Sequence, residues 1–303
     1  MRRNITLIVI MLLTLSLQAQ ELFVGSYNIR YKNSHDSTQG EVWQVRSRVI
    51  CDQINFEQPD IFGTQEALIG QIHDMLSLLD GYRYTGVARD DGHQAGEHSA
   101  IFYKADKLQL VDSGNFWLSP TPDRPSKGWD AACVRICSWG EFEVLSTGQH
   151  FFFFNLHMDH VGVVARREGA RLVVQRMQSI AHGQPAILTG DFNVDQNNEI
   201  YTIFTRQGHL TDSYEAARLR FCENGTFNSF RPELKTESRI DHIFLTPGIA
   251  VDRYGVLTNS YWTTEDNAAT EQGHDAPSEI HFQSHRLRCP SDHYLVLARI
   301  RIK

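Results

Sequence analysis

The sequence predicts an α/β fold, on two observations. Short apolar runs that end in polar residues recur at positions 22–28, 61–66, 99–103, 151–157, 186–191, 240–245 and 294–302, and runs of this length bounded by polar or turn residues read as strands. Segments with helical spacing or turn composition separate them, as in alternating α/β chains. A chain of 303 residues, 41% hydrophobic and 21% charged, has the make-up of a globular enzyme with a large core. No linker, repeat or low-complexity tract interrupts Glu21 to Lys303, so a single domain over residues 20–303 is expected.

Before the first strand, Arg2 and Arg3 precede an apolar run at residues 5–17, and Leu17-Gln18-Ala19 offers a small-residue cleavage site. That is the pattern of a secretory signal peptide over residues 1–19. A membrane anchor needs about 20 apolar residues, whereas Thr6, Thr14, Ser16 and Gln18 interrupt a shorter stretch. The expectation is export to the periplasm or beyond, a mature chain starting near Gln20, and no stable membrane insertion after cleavage. No cysteine follows the cut, which argues against a bacterial lipid anchor. Without Arg2 and Arg3 the formal charge of −7 becomes −9. Gripping a long nucleic acid calls for a basic footprint, so this balance weighs against processive polymer binding.

Along the chain, Val42, Val45, Val49, Ile50 and Ile54 follow helical spacing after the first strand, and Pro59 prevents that helix from continuing. Further helices are expected over 67–79 and 165–181, each followed by a glycine stop, Gly81 or Gly183. A strand is expected over 131–139. Within it Cys133 and Cys137 would lie roughly 13 Å apart, too far for a disulfide, and both read as buried thiols. With five cysteines at least one is unpaired within the chain, and no C-x-x-C pair suggests structural zinc. Four consecutive phenylalanines at 151–154 read as a core strand covered on both faces. Trp129 and Trp262 are expected in loops bordering a substrate, and residues 259–290 form a long polar insertion of the kind that sets specificity. No exposed hydrophobic hairpin or amphipathic segment suited to a membrane is evident.

Asn28, Glu66, His157 and Asp191 each end an apolar run, where strands deliver side chains to a common edge. Taken singly, Asn28 reads as a turn residue, Glu66 as a helix N-terminal carboxylate and His157 as a hydrogen-bonded core histidine. Together they form a kit of carboxylate and amide oxygens, hard ligands suited to Mg²⁺ or Mn²⁺, with Ca²⁺ a further candidate. Phosphate-ester cleavage fits that kit. It calls for a cation on the phosphoryl oxygens, a group to handle the water proton, and donors aimed at the developing charge. His293, beside Asp292, reads as a general acid or base.

Ser26-Tyr27-Asn28-Ile29-Arg30, Thr64-Gln65-Glu66, Asn155-Leu156-His157, Gly190-Asp191-Phe192-Asn193, Arg239-Ile240-Asp241 and Ser291-Asp292-His293 stand in this order along the chain. The series resembles the signatures of the endonuclease/exonuclease/phosphatase superfamily. Gly128-Trp129-Asp130-Ala131-Ala132 and the helix beginning near Ala165 look like an exported bacterial branch of it. The resemblance implies a deoxyribonuclease I-like fold, a four-layer αββα sandwich of two mixed β-sheets with the active site at one end. It implies that Asn28, Glu66 and Asp292 serve a metal site, with Glu66 as principal ligand. Asp191 and Asn193 match the pair that positions the nucleophile and stabilises the pentacovalent phosphorus, and Asp241 with His293 matches an acid/base couple. His157 matches a second histidine of the pancreatic-type deoxyribonucleases and the sphingomyelinases, and Glu97 resembles the glutamate that orients it.

His160 is expected as a contact just outside the site, whereas His150, His182 and His209 read as ordinary solvent-facing residues. Arg135 and Arg166 have the chemistry to grip a phosphate bidentately, or equally to form structural salt bridges. The substrate is a phosphate ester: a small phosphoester or a phosphodiester first, with DNA or RNA as the alternative. The chain is expected to act as a monomer. A catalytically inactive binding module on the same fold is a further alternative, and the full set of polar site residues argues against it.

Overall fold

The structure, a computed structural model, describes residues 20–222, 224–264 and 270–302, so the expected export signal lies outside the described residues. One sheet contains β1 (Gln20–Asn28), β2 (Ile61–Gln65), β3 (Tyr82–Thr85), β4 (Ile101–Lys104), β10 (Leu219–Phe221), β12 (Ile249–Leu257) and β17 (Leu295–Ile302), ordered β10-β12-β17-β1-β2-β4-β3. The other contains β5 (Leu108–Trp117), β6 (Ile136–Val144), β7 (Gln149–His157), β8 (Ala186–Asp191), β9 (Thr211–Asp212) and β11 (Asp241–Leu245), ordered β5-β6-β7-β8-β11-β9. Both are mixed: β1 runs parallel to β2 and antiparallel to β17, while β7 runs parallel to β8 and β8 antiparallel to β11.

Side-chain alternation along the strands explains the layering. Phe151 and Phe153 point between the sheets, where they join Val24, Ile61, Ile101, Ile187 and Ile243 in one core. Phe152 and Phe154 point the other way, onto α4 (Val163–Ala181), against Ala170, Val173 and Met177. The outer face of the first sheet, with Tyr27, Phe62 and Phe102, is covered by Ile50 and Ile54 of α2 (Trp43–Glu57) and by Ile72 and Met75 of α3 (Ile69–Leu78). The result is the expected four-layer αββα sandwich, and the four-phenylalanine run is core on both faces.

At one end the apolar interface gives way to a polar stitch. Asn155 of β7 donates to Thr64 O (2.8 Å) and Ala100 O (3.0 Å) of the first sheet, and its Oδ1 accepts from Gln65 (2.7 Å) and Thr189 (3.1 Å). A Cβ on Gly63 would stand 2.2 Å from that Oδ1, so glycine there lets the sheets close over the amide. The buried Asn155 amide is satisfied at both its nitrogen and its oxygen, which fixes the two sheets' relative position directly beneath the site.

Several local expectations are corrected. The strand expected over 131–139 begins at Ile136 instead, because the backbone before it turns to donate from Ala132 N and Cys133 N to Asp159 Oδ2 (3.0 and 3.1 Å). Cys133 is consequently only half-buried, while Cys137 is fully buried, and both are free thiols. Trp262 lies not in a loop but in β13 (Tyr261–Thr264), paired with β16 (His285–Arg288). Beyond it, β14 (Thr270–Gln272) and β15 (His281–Gln283) form a hairpin that exposes Phe282, with Ile280 and Trp262 also exposed. The polar insertion thus folds into two short ribbons that expose three apolar side chains among mostly polar ones.

Candidate active site

Strand register places most of the site. In the second sheet His157 stands beside Asp191, and Asp191 beside Asp241, so three functional side chains come from adjacent positions on β7, β8 and β11. In the first sheet Asn28 ends β1, and Glu66 follows β2, which pairs with β1 in register. Asp292 and His293 immediately precede β17, the other neighbour of β1. Glu66 (φ 64°) and Asn193 (φ 50°) both adopt left-handed backbone just after their strands. Such conformations cost energy for residues with a Cβ and persist where the surroundings impose them, commonly at sites.

Asn28 is the hub. Its Nδ2 lies 3.1 Å from Glu66 Oε1, 3.1 Å from Asp191 Oδ2 and 3.4 Å from His293 Nε2, while its Oδ1 accepts from Arg30 N (3.0 Å). Glu66 Oε2 accepts from Tyr31 N at 3.2 Å. His293 Nδ1 pairs with Asp241 Oδ2 at 2.8 Å, and its Nε2 faces Asp191 Oδ2 at 3.6 Å. Asn193 donates from Nδ2 to Met158 O (3.0 Å) and to His157 Nε2 (3.2 Å), and its backbone N–H bonds Asp191 Oδ1 (2.9 Å). Seven of the nine predicted site residues therefore form one connected cluster, and Asp292 joins it through Arg30 Nη1, 3.6 Å away. Glu97 lies at its edge: it bonds Arg89 at 2.5 Å, and its Oε2 is 3.9 Å from His157 Nδ1, beyond hydrogen-bond range.

The electrostatics separate these groups. Burial, reinforced by neighbouring Asp241 and offset by His293, pushes the Asp191 carboxyl up to about 7. Burial alone would lower His293, but Asp241 and Asp191 outweigh it and hold the imidazole up at about 10. Burial, with Arg135 and Arg89 nearby, keeps His157 well below the ordinary histidine range, hence neutral. A neutral His157 that accepts from Asn193 at Nε2 carries its proton on Nδ1. Burial and the proximity of Glu66 raise Asp292.

Other residues support the cluster, and of these the sequence singled out His160, Arg135 and Arg166. Thr226 Oγ1 accepts from both Ile240 N (2.9 Å) and Asp241 N (3.0 Å), fixing the start of β11. Arg30 grips Asp36 through Nε (2.7 Å) and Nη2 (3.2 Å), which leaves Nη1 3.6 Å from Asp292 and 3.9 Å from Glu66. Asp159, two residues past His157, accepts four backbone N–H groups, from Ala132, Cys133, Val161 and Gly162. His160 is exposed and accepts from Arg135 Nη2 at 3.1 Å, and Arg166 donates to Asp159 O at 2.8 Å. For Thr226 and Asp159 no signal stood in the sequence beyond, at most, adjacency to a motif.

Two places suit a cation. Asp191, Asp241 and His293 bring ligand atoms within 4.8 Å of one another. There, however, Asp241 Oδ2 and His293 Nδ1 already engage each other. Glu66 and Asp292 instead present carboxylate oxygens on either side of the Arg30 fork, a pair suited to a hard divalent ion, and the adjacent Asn28 amide turns its Nδ2 toward Glu66. A third cluster, Cys133, Asp159 and His160, is poor for a metal, because all four Asp159 acceptor sites are taken by N–H groups.

A family model described as Endonuclease/Exonuclease/phosphatase family matches residues 25–293. Among solved structures, a family protein from Bacteroides thetaiotaomicron is 49% identical with a TM-score of 0.88, covering 94% of this chain and 99% of its own. A mannosyl-6-phosphatase from the same species is also 49% identical, with a TM-score of 0.85 and coverage of 92% and 99%. Among curated proteins, the Xenopus laevis nocturnin is 28% identical over 57% of this chain and 46% of its own length, so the chain spans under half of that relative. The signature order, the sandwich and the strand-end cluster agree with these matches, and the chain belongs to the endonuclease/exonuclease/phosphatase family.

Proposed function

We propose that the chain is an exported, single-domain, divalent-metal-dependent phosphatase that hydrolyses the phosphate ester of a small hydroxylated alcohol such as a sugar. The observation that carries the reading is the junction at Asn28, where Glu66, Asp191 and His293 all meet one amide. This brings a hard-metal ligand, a proton acceptor and a proton donor together around one amide. The sugar preference draws on the 49% identity to a protein titled mannosyl-6-phosphatase and on the formal charge of −7, which disfavours a polyanionic chain. Among the described residues no helix is long and apolar enough to cross a membrane.

In this reading Glu66 and Asp292, beside Asn28, would hold Mg²⁺ or Mn²⁺, which would supply charge neutralisation at the phosphoryl group. Asp191 Oδ2 orients a water and accepts its proton as the oxygen attacks phosphorus. His293, charged and held by Asp241, donates its Nε2 proton to the departing alkoxide. The two groups are 3.6 Å apart, so the proton gained by Asp191 can return to His293 and reset the site. On the other flank of Asp191, Asn193 holds the carboxylate through its backbone N–H and holds His157 through its amide.

The test is a panel of hexose 6-phosphates, phenyl phosphate, RNA and DNA with Mg²⁺ or Mn²⁺, repeated after chelation. A higher kcat/KM on oligonucleotides than on sugar phosphates would favour the nuclease reading suggested by the nocturnin similarity. Absence of turnover on every ester would leave a binding module. For export, N-terminal sequencing of the protein from its native host should find the chain starting near Gln20, and an intact Met1 in the cytosol would contradict it.

A further inference from the structure

Behind His157, on the side away from Asn193 and Asp191, lies a cavity of about 10 Å³ whose walls include Glu66, Arg89, Glu97, Arg135 and His157. A volume of that order accommodates the centre of one water-sized group. The atoms around it are unusual in one respect. Arg135 is 5% exposed, yet its Nε and Nη1 have no hydrogen-bond partner; the same holds for Arg89 Nε and for His157 Nδ1. A buried donor without a partner is costly; Arg135 Nε and Arg89 Nε stand 3.6 and 3.7 Å from the carboxylates of Asp159 and Asp90, whereas Arg135 Nη1 and His157 Nδ1 both face Glu97 Oε2 across 3.9 Å beside the reaction centre.

The pattern of donors and acceptors selects the occupant. His157 accepts from Asn193 at Nε2 and so presents an N–H from Nδ1, and each guanidinium can only donate. Glu97 supplies the opposing acceptor, with its Oε2 3.9 Å from both His157 Nδ1 and Arg135 Nη1. A hydroxyl satisfies both sides, since its oxygen accepts from the imidazole and a guanidinium while its proton goes to the carboxylate. An anionic oxygen would accept equally well but would face the Glu97 carboxylate, and an apolar group would leave every donor orphaned. Glu66, Arg89 and Glu97 keep 12%, 14% and 16% of their side chains exposed, so the cavity borders the mouth of the site.

We infer that this cavity is a specificity subsite that receives one hydroxyl of the substrate's alcohol moiety, with Arg135 reading it beside His157 and Arg89 holding the Glu97 carboxylate in place. The inference rests on the phosphatase reading and deepens it: it makes hydroxylated phosphate esters the preferred class and assigns the choice to residues that take no part in the proton transfers. A site built to bond a hydroxyl discriminates strongly against the analogue lacking it, because its own buried groups are then left unpaired.

The test pairs substrate and protein. The Mg²⁺-loaded enzyme is assayed with a hexose 6-phosphate, each of its monodeoxy analogues, and phenyl phosphate; the series is repeated with Arg135→Met and Arg89→Gln, whose folding is checked by circular dichroism and thermal melting. In the wild type, loss of one particular hydroxyl should lower kcat/KM at least tenfold, and in either folded variant that penalty should shrink to under about threefold, the coupling expected of two groups in contact. A wild type insensitive to every single deoxygenation overturns the inference without need of a variant, because water alone then fills the cavity. So does a penalty that persists unchanged in the folded variants. Turnover of phenyl phosphate without turnover of any hexose phosphate sinks the subsite and leaves a phosphatase standing. Failure on all esters sinks both.

Discussion

Asp241 and His293, 52 residues apart in sequence, meet through a 2.8 Å contact between Oδ2 and Nδ1. Asp241 is fully buried and its Oδ1 has no hydrogen-bond partner. The imidazole is therefore the main compensation for a carboxylate out of water, and the carboxylate in turn keeps His293 charged. Residues bound this way act as one unit. Asp241→Asn and His293→Ala should each lower kcat by about 10²–10⁴-fold, the range for general acid–base groups. The double variant should be little worse than either single change, with KM moving only a few-fold. Steady-state kinetics decides: full multiplication of the two losses in folded proteins would remove the couple.

The same pair sets the pH profile. Asp191 must be ionised to take a proton, and burial with Asp241 nearby pushes it up to about 7. His293 must be charged to give one, and Asp241 and Asp191 hold it up at about 10 against burial. In the metal-free protein Asp191 should accordingly lose its proton as pH rises through about 7, and His293 should lose its proton only near 10. The rate should rise through the first step and fall through the second, with a bound cation moving both to lower pH. Asp241→Asn removes the anion that favours imidazolium, so the His293 value must fall and the alkaline limb must shift to lower pH. NMR titration of His293 and kcat/KM between pH 5 and 11 test this. An alkaline limb unmoved by Asp241→Asn would show that another group carries it.

Metal dependence has a readout besides turnover. A ligand that binds only the folded state raises stability in proportion to the logarithm of its excess over Kd. Millimolar Mg²⁺ or Mn²⁺ should raise the melting temperature of the wild-type protein, and chelation should reverse the shift and abolish turnover. Glu66→Gln exchanges a charged ligand for a neutral amide of the same shape and should lose most of that shift. If the variant keeps the whole metal-induced shift, the cation sits elsewhere, the Asp191, Asp241 and His293 cluster being the next candidate.

Sequence exposed the site better than its supports, for a physical reason. Asn28, Glu66, His157 and Asp191 end apolar runs, and strand polarity alone brings such residues to a common edge. Asp241 and its coupling to His293 needed the resemblance, since nothing local in Arg239-Ile240-Asp241 says that β11 will pair antiparallel to β8 and bring Asp241 level with Asp191. The insertion illustrates the same limit. Trp262 pairs with Leu287, a relation that short-range periodicity cannot carry, so a ribbon read as a loop. Asp159 and Asn155 sit inside or beside a motif, yet their work is done on backbone groups of distant segments, which carry no sequence signal. Arg135 was visible as a cation, while its unsatisfied nitrogens and the cavity they face emerge only from packing.

A last prediction concerns Arg46, a fully buried arginine on α2. Its Nη1 donates to Ile29 O (2.9 Å) and Pro290 O (3.0 Å), its Nη2 to Arg30 O (3.3 Å) and its Nε to Glu41 O (3.2 Å). Ile29 directly follows Asn28, and Pro290 lies just before Asp292 and His293. One planar fork thereby ties together the two loops that carry the junction amide and the acid, on strands that are neighbours in space but far apart in sequence. Lysine has the charge but not the fork, so Arg46→Lys should already be costly. Arg46→Met, which leaves buried carbonyls without a donor, should destabilise by about 3 kcal/mol, or roughly 6–12 °C in melting temperature for a chain of this size. The loss should not be confined to stability. With the two loops released, Asn28 and His293 should separate, and kcat should fall at least tenfold at temperatures where the variant remains folded, together with weaker metal binding. A variant that melts earlier but keeps wild-type kcat and metal affinity while folded would reduce Arg46 to a purely structural tie and show that the Asn28 junction is held by the sheet alone.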